Sequence, residues 1–489
     1  MPESNGAKDR YGLPVSTDST AAADNLVEGV DLLLEQNFGP EQSFLQAVEA
    51  DEGFALAYAG LAYFYMAGGK IADARKAAQQ AQSLEAGITR REQQQIEAMA
   101  LWVNGRGPES LAVIQQHIAE FPRDMLMVRV AQRLYLMGCS SVGAGVNNYP
   151  QELFALMKNV APEYGDDWAF QGQYAFAHHE NGLLDDALKL AEQSLAQRPT
   201  NAVASHSIAH VYFERGDASG GADFLARWLP GFDDRATYHV HLSWHLALFE
   251  LAMGHYQKSL ELYDSDIRPS VVAKSPLSLT DSASLLWRLQ MYGGAAPAEV
   301  MGELCAQAAP AAEKPGPAFR DSHAALAFAV AGDDRSLGSM MDGLRASASS
   351  GDTLAVEVML PLVQGISAFV HQDYGEAVRL MEPLFGQDAR YDQLCRVGGS
   401  HAQREVFEDT LMEAYLRAGQ FDKAEGLLNN RLKRRESPRD MFWLARAQET
   451  EGDPGVAESS IRQARDGWHD ADSSSQETAA LNGLAERIG

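Results

Sequence analysis

The stretch YAFAHHENGLLDDALKLAEQSLAQRP, residues 174–199, predicts the fold because small and turn-forming residues occur in it at the intervals of a repeated unit. If Gly182 is taken as position 15 of a unit of about 34 residues, then Ala175 falls at position 8, Ala187 at position 20 and Pro199 at position 32. The residues between them have helical apolar spacing. This pattern predicts two antiparallel helices that approach most closely at the two alanines, with a turn at the glycine.

The same pattern returns along most of the chain. The position of Gly182 is taken by Gly216 in the next match, by Gly254 in a third, by Gly69 in one near the N-terminus, and by Gly419 and Gly452 in two near the C-terminus. Weaker matches lie around 105–122, 332 and 372–377, and no alternation typical of strands stands out. The sequence therefore predicts an all-α solenoid of tetratricopeptide-like helix-turn-helix repeats that forms a right-handed superhelix.

The predicted domain organisation is simple. Residues 1–22 are polar and are expected to form an N-terminal arm, and residues 23–489 a single repeat solenoid. Two irregular connections are expected, at 138–150 and at 309–318. The clearest repeats are predicted at 55–86, 168–201, 202–235, 240–270, 405–438 and 439–470.

Composition excludes several classes of partner. A formal net charge of −27 predicts a surface that repels nucleic acid and anionic membranes. No apolar run reaches the roughly 18 residues of a membrane span, and the N-terminus lacks a secretory signal, so a cytoplasmic protein is expected. Of three cysteines, Cys139 is a candidate nucleophile, and a buried structural thiol is the alternative. The basic residues Arg431, Lys433, Arg434 and Arg435 are expected at a solvated helix end.

Histidines concentrate on the predicted inner face. The first helix of each repeat lines that face through positions near 2, 5, 9 and 12. His206 falls at position 5, His210 at 9, His241 at 2, His245 at 6 and His179 at 12, with Trp244 at 5. These residues of three consecutive repeats are predicted to project toward one stretch of the inner wall.

The spacing of these histidines has chemical consequences. Two imidazoles four residues apart on a helix lie on one face and can ligate one ion, and a neutral imidazole can act as a general base near pH 7. His206, His210, His241 and His245 are therefore the candidate catalytic residues and, if a divalent transition metal such as zinc is bound, its candidate ligands. No carboxylate lies at metal-ligand spacing within the two motifs. The alternative is that the histidines pack between helices and donate to carbonyls.

Longer motifs carry a family resemblance. They span nearly the whole chain, and by them the sequence resembles the tetratricopeptide repeat protein 38 family, cytosolic proteins of bacteria and eukaryotes of about this length. The resemblance implies a full-length helical repeat array and does not imply a particular activity. The motifs are DRYGLPVST (9–17), TRREQQQIEA (89–98), HSIAHVYFE (206–214), HLSWHLALFEL (241–251), YDSDIRPS (263–270), DSASLLWRLQM (281–291), FRDSHAALA (319–327) and GGSHAQREVFED (398–409).

The motifs add further candidate ligand-binding residues beside His179 and Trp244, none of which a repeat core requires. They are Asp281, Arg288, Asp321, His323, Gln403 and Arg404. Each has a structural alternative: Asp281 could cap the helix that follows it, Arg288 could pair with a neighbouring acid, and Gln403 could form a capping box with Ser400.

Three functional hypotheses remain open at this point. The first is a repeat protein whose concave face forms a His/Trp/Asp/Arg-rich pocket for a small molecule or a partner segment, with a homodimer as a further possibility. The second is a small-molecule enzyme, a hydrolase or lyase that uses the inner histidines as a general base or as metal ligands. The third is a purely structural polar wall that fixes the superhelix.

Overall fold

The structure, a computed structural model, describes residues 7–139, 149–275, 277–386, 392–451 and 454–488. Within them it contains α-helices, short 3₁₀ and π turns and one isolated bridge between Lys8 and Pro14, but no strand. The chain divides into two compact units, Met1–Ile208 with Gly231–Tyr238, and Ala209–Pro230 with His239–Gly489. No helix among the described residues is both long and apolar enough to cross a membrane.

The first unit is built from consecutive antiparallel helix pairs with their own apolar core. Its helices are α1 (Thr20–Glu35), α2 (Pro40–Ala50), α3 (Ala55–Ala67), α4 (Ile71–Ser83), α5 (Arg90–Val103), α6 (Gly107–Glu120), α7 (Met125–Leu136), α8 (Tyr149–Val160), α9 (Trp168–Glu180) and α10 (Leu184–Gln197). The division between the units falls within α11 (Ala202–Arg215), after Ile208, and again near the start of α13 (Thr237–Ala252), after Tyr238.

The second unit has a separate apolar core. Its further helices are α12 (Ala218–Trp228), α13 (Thr237–Ala252), α14 (Tyr256–Leu262), α15 (Arg268–Val272), α16 (Ser278–Met291), α17 (Ala298–Glu313), α18 (Ala318–Ala331), α19 (Asp334–Ser349), α20 (Leu360–Val370), α21 (Tyr374–Met381), α22 (His401–Arg417), α23 (Phe421–Arg434), α24 (Pro438–Glu451), α25 (Pro454–Gly467) and α26 (Gln476–Ile488). Two π-helical turns, Tyr263–Ile267 and Ala355–Met359, adjoin α15 and α20.

The turn glycines behave as the sequence predicts. Gly182 follows α9 with a φ of +75°, and the amides of Gly182 and Leu183 donate back to carbonyls of the last helical turn. A residue with a side chain is disfavoured in this left-handed conformation, which explains why glycine ends the helix. The same positive φ occurs at Gly69, Gly105, Gly216, Gly254, Gly332 and Gly419. The predicted turn at Gly452 lies outside the described residues.

The small positions bring paired helices together. Ala175 of α9 and Ala187 of α10 are both completely buried. In the pair α13/α14, the Ser259 hydroxyl donates to the Ala247 carbonyl over 3.0 Å, which holds the two backbones close. Helix pairs with a glycine turn and buried small residues are the tetratricopeptide-type arrangement, so the predicted solenoid class is confirmed.

One predicted loop is largely wrong. Residues 309–318 were expected to connect helices without regular structure, but α17 continues through Pro310 to Glu313, and only the short segment 314–317 is non-helical. Ala308 and Ala311 are buried against the core, and their packing outweighs the hydrogen bond that proline removes. The other expected connection, 138–150, lies mostly outside the described residues, and α8 begins at Tyr149.

The N-terminal residues are attached to the first unit before α1 begins at Thr20. Asp9 accepts from the Arg91 guanidinium over 2.8 Å, and the backbone amide of Ser16 donates to Glu92 over 2.7 Å. Two of the sequence motifs thus meet each other here. The predicted domain boundaries themselves stay a prediction.

Candidate functional site

Five of the candidate residues meet inside the second unit. His210 comes from α11, His241, Trp244 and His245 from α13, and Asp281 from α16, and all five are buried. The His245 ring lies edge to face with both other imidazoles, at centroid distances of 4.8 Å to His210 and 4.9 Å to His241. We call these five residues the histidine cluster.

A carboxylate orients one of the imidazoles. Asp281 Oδ2 lies 2.9 Å from His241 Nδ1, and the His241 ring stacks on Trp244 at 5.3 Å. The structural alternative for Asp281, that it caps its own helix, is wrong, because α16 already begins at Ser278. A carboxylate at Nδ1 fixes the tautomer and the ring plane of the imidazole. This arrangement suits a general base, a hydrogen-bonding contact or a metal ligand.

Two polar atoms of Trp244 and Asp281 lack a hydrogen-bond partner within the part of the chain that the structure describes. They are Asp281 Oδ1 and the indole Nε1 of Trp244, and both are buried. Buried polar groups are nearly always paired, and leaving one unpaired costs about 1–3 kcal/mol. An acceptor and a donor therefore remain available beside the oriented imidazole of His241.

The protonation state of His210 follows from its surroundings. Burial lowers the pKa of His210 to about 3, and repulsion from His241 acts in the same direction, although Glu214 opposes both. His210 is therefore neutral at pH 7. A neutral imidazole can accept or donate a hydrogen bond, or ligate a metal, without first losing a proton.

The other two inner-wall histidines belong to the first unit. His206 lies between two aromatic rings, stacked on Phe176 at 6.0 Å and edge to face with Tyr238 at 5.4 Å. His179 lies with its Nδ1 3.5 Å from the Glu180 carboxylate. Their predicted participation in a ligand site stays a prediction.

Three further candidates of the second unit have structural partners. Asp321 accepts from its neighbour Arg320 over 2.6 Å at the start of α18. Gln403 completes a capping box with Ser400 at the start of α22, which confirms the structural alternative for this residue. Arg404 donates to the Gly399 carbonyl.

The candidate residues His323 and Arg288 are also buried. His323 Nδ1 lies 2.8 Å from the Phe319 carbonyl, and burial lowers the His323 pKa to about 4. Arg288 pairs with Asp409 over 3.4 Å, as its structural alternative predicted. Neither contact excludes a ligand, but each gives its residue a role in packing.

The sequence analysis missed a buried ionic network. Arg431 was expected at a solvated helix end, yet it is only 4% exposed and contacts Asp440 at 3.0 Å and Asp409 at 2.8 Å. The Arg435 guanidinium pairs with Glu405. The signal that could have revealed this network is the acidic series on α22, which offers carboxylates to the basic residues of α23.

One group within the second unit resembles a metal site in spacing alone. Ligand atoms of His401, Glu405 and Glu408 lie within 4.8 Å of one another. However, His401 Nδ1 lies 2.7 Å from Glu214, and the two glutamates contact the Arg431 guanidinium. Positive side chains already neutralise these carboxylates, so the residues do not fit a cation.

Cys139 does not suit nucleophilic chemistry. Burial raises the pKa of its thiol to about 11, so the thiolate is scarce at neutral pH. The structural alternative fits this environment better.

Comparison with known proteins gives only distant similarities. No family model matches the sequence. Yeast Tom70 is similar at 11% identity over 96% of this chain and 95% of that chain, with a TM-score of 0.31. The human IFIT1 dimer with PPP-AAAA is similar at 14% identity over 92% of this chain and 91% of that chain, with a TM-score of 0.36. Similarity at these TM-scores supports no inference about a partner, a ligand or an activity.

Proposed function

We propose that this chain is a tetratricopeptide-type binding protein whose second unit holds a small polar molecule, or a polar segment of a partner, at the histidine cluster. The observation that carries the proposal is the pair of unpartnered atoms, Asp281 Oδ1 and Trp244 Nε1, beside an imidazole that Asp281 orients. A ligand with one donor and one acceptor would satisfy both atoms. Membership of the tetratricopeptide repeat protein 38 family is part of the proposal and rests on the sequence motifs.

The charge of the histidine cluster and of the whole chain restricts the kinds of ligand that the cluster can bind. The cluster contains one carboxylate and imidazoles of which His210 is neutral, and the whole chain carries a net charge of −27. Polyanions such as nucleic acids are disfavoured by this charge. A neutral or weakly cationic molecule with amide, hydroxyl or amine groups fits the available donor and acceptor best.

The test is native mass spectrometry of the purified, untagged protein. We expect a bound molecule on the wild type and its loss in Trp244→Phe, which removes only the indole donor and a little volume. Trp287→Phe is the matched control, because it also removes a buried indole donor, one that bonds Thr410 over 2.8 Å. Equal occupancy in both variants, or a protein that never carries a small molecule or a peptide, would refute the proposal.

Catalysis is the second candidate, favoured by the 2.9 Å contact between His241 and Asp281. In this candidate His241 Nε2 removes or delivers a proton, and Asp281 stabilises the imidazolium that forms. Chemical conversion of the bound molecule on prolonged incubation, slowed about 100-fold or more in His241→Gln, is the expected sign of activity. If the ligand is recovered unchanged from the wild-type protein, catalysis is contradicted and binding remains as the function.

The metal alternative has its own measurement. The neutral imidazole of His210, close to a histidine that a carboxylate orients, suits zinc chemically. Elemental analysis should find about one transition metal ion per chain, lost in His245→Ala and retained in His371→Ala, whose histidine is exposed. A metal-free wild type removes this alternative and leaves the binding proposal intact.

A further inference from the structure

The second unit contains a cavity that is separate from the five residues of the histidine cluster. Its volume is about 420 Å³, within the usual range for small-molecule sites. The start of α12, the end of α13 and the turn from α23 to α24 surround it. One side is apolar, formed by Leu248, Phe249 and Leu251.

Another part of the cavity lining is ionic. The Arg431 guanidinium contacts three carboxylates, those of Asp440 at 3.0 Å, Asp409 at 2.8 Å and Glu408 at 3.3 Å. Arg435 pairs with Glu405 and lies over the Phe213 ring at 4.2 Å. These contacts hold the charged side chains in fixed orientations along the wall.

Two polar atoms on this wall are buried without a hydrogen-bond partner among the residues that the structure describes. They are Oδ1 of Asp440, a residue that is completely buried, and Nη1 of the Arg435 guanidinium. The two side chains attract each other, yet no hydrogen bond joins them. Burial raises the pKa of Asp440, so a cation placed beside it would stabilise the carboxylate. The cavity lining thus contains an acceptor for a cation, a donor for an anion and an apolar surface.

We propose that this cavity binds a small zwitterion with an apolar substituent, of the α-amino acid class. Its ammonium group would donate to Asp440 Oδ1, its carboxylate would accept from Arg435, and its side chain would contact Leu248 and Phe249. The proposal goes beyond the function proposed for the histidine cluster and does not depend on it.

The experiment is isothermal titration of the full-length protein with L-phenylalanine and L-leucine. We expect saturable binding of at least one of them, and binding weakened about tenfold or more for N-acetyl-L-phenylalanine and L-phenylalanine amide, which each lack one charge. Derivatives that bind as tightly as the parent amino acid would overturn the zwitterion. No saturable binding of either amino acid up to millimolar concentrations would overturn the site itself.

Variants separate the site from the fold. Asp440→Asn should weaken binding about tenfold or more while keeping an oxygen for Arg431. Ala252→Phe adds an aromatic ring to the cavity lining at the end of α13, and it should abolish binding while circular dichroism stays unchanged. Lys433→Gln, on the exposed side of α23, is the control and should bind like the wild type. Affinity unchanged in both Asp440→Asn and Ala252→Phe would place the amino acid elsewhere and refute the proposal.

Discussion

Acid should destabilise this protein through His210, and the size of the effect follows from its pKa. The ordinary pKa of histidine, 6.5, applies to the unfolded chain, whereas burial lowers the folded value to about 3. Between these values the unfolded chain binds a proton that the folded chain does not. The stabilising contribution is therefore complete above pH 6.5 and is lost as the pH falls.

At pH 5 the loss can be calculated. The pH is then 1.5 units below the unfolded pKa, and each unit is worth about 1.4 kcal/mol, so His210 lowers the free energy of unfolding by about 2 kcal/mol relative to pH 7.5. The variant His210→Gln cannot bind this proton. We expect its loss of stability between pH 7.5 and pH 5 to be smaller than that of the wild type by about 2 kcal/mol.

Urea unfolding at the two pH values, followed by far-ultraviolet circular dichroism, measures this difference. His323, whose pKa burial lowers to about 4, adds its own acid sensitivity to both proteins and cancels in the comparison. The control is His371→Gln, because the His371 side chain is 55% exposed. If His210→Gln loses as much stability on acidification as the wild type, the inferred neutral, buried state of His210 is wrong.

Two further predictions concern particular contacts of the second unit. Asp281→Ala removes the acceptor of the buried His241 ring and should lower the free energy of unfolding by about 2 kcal/mol, with a change below about 0.5 kcal/mol in urea titrations contradicting the pairing. Gly216→Ala should lower the melting temperature, because φ is +73° and the new Cβ would lie 2.3 Å from the Glu436 carbonyl oxygen. Gly426→Ala, at an exposed helical position with open space, should instead stabilise by up to about 1 kcal/mol, and equal effects of the two substitutions would contradict this account.

The helix boundaries could be predicted because they depend on local backbone chemistry. Gly182 and Gly254 end helices where a left-handed residue is needed, and the small residues that follow mark the closest approach of the paired helix. The loop at 309–318 could not be predicted in this way. Whether a helix continues through Pro310 depends on how Ala308 and Ala311 pack against the core, which the local sequence does not encode.

The candidate site was only partly predictable for a related reason. The four-residue spacing of His241 and His245 places both rings on one face of a helix, and the structure shows them in contact. Spacing within a helix says nothing about which residue of another helix meets that face. Asp281, 40 residues away in the chain, was selected by its motif as a candidate ligand-binding residue, with helix capping as the alternative. Its contact with His241 depends on the packing of α13 beside α16.

The buried ionic network shows the same limitation more strongly. Arg431 looked like a solvated residue because its partners lie on other helices, with Asp409 22 residues earlier and Asp440 9 residues later. Charged side chains are rarely buried unless they are paired, so composition alone favours the surface for a basic cluster. The structure reverses that expectation because α22 supplies the carboxylates.

Helix packing by itself does not require this network. Burying paired charges is often no more favourable than packing apolar residues of similar size, and the cores of both units are built largely from alanine, leucine and aromatic side chains. What the network provides is a polar wall whose side chains are already oriented, with Asp440 held by Arg431 and Arg435 held by Glu405. A ligand that meets such a wall loses little free energy to ordering the protein. Each contact that a ligand makes with this wall beside Asp440 should therefore contribute more to the binding free energy than a contact with a mobile side chain.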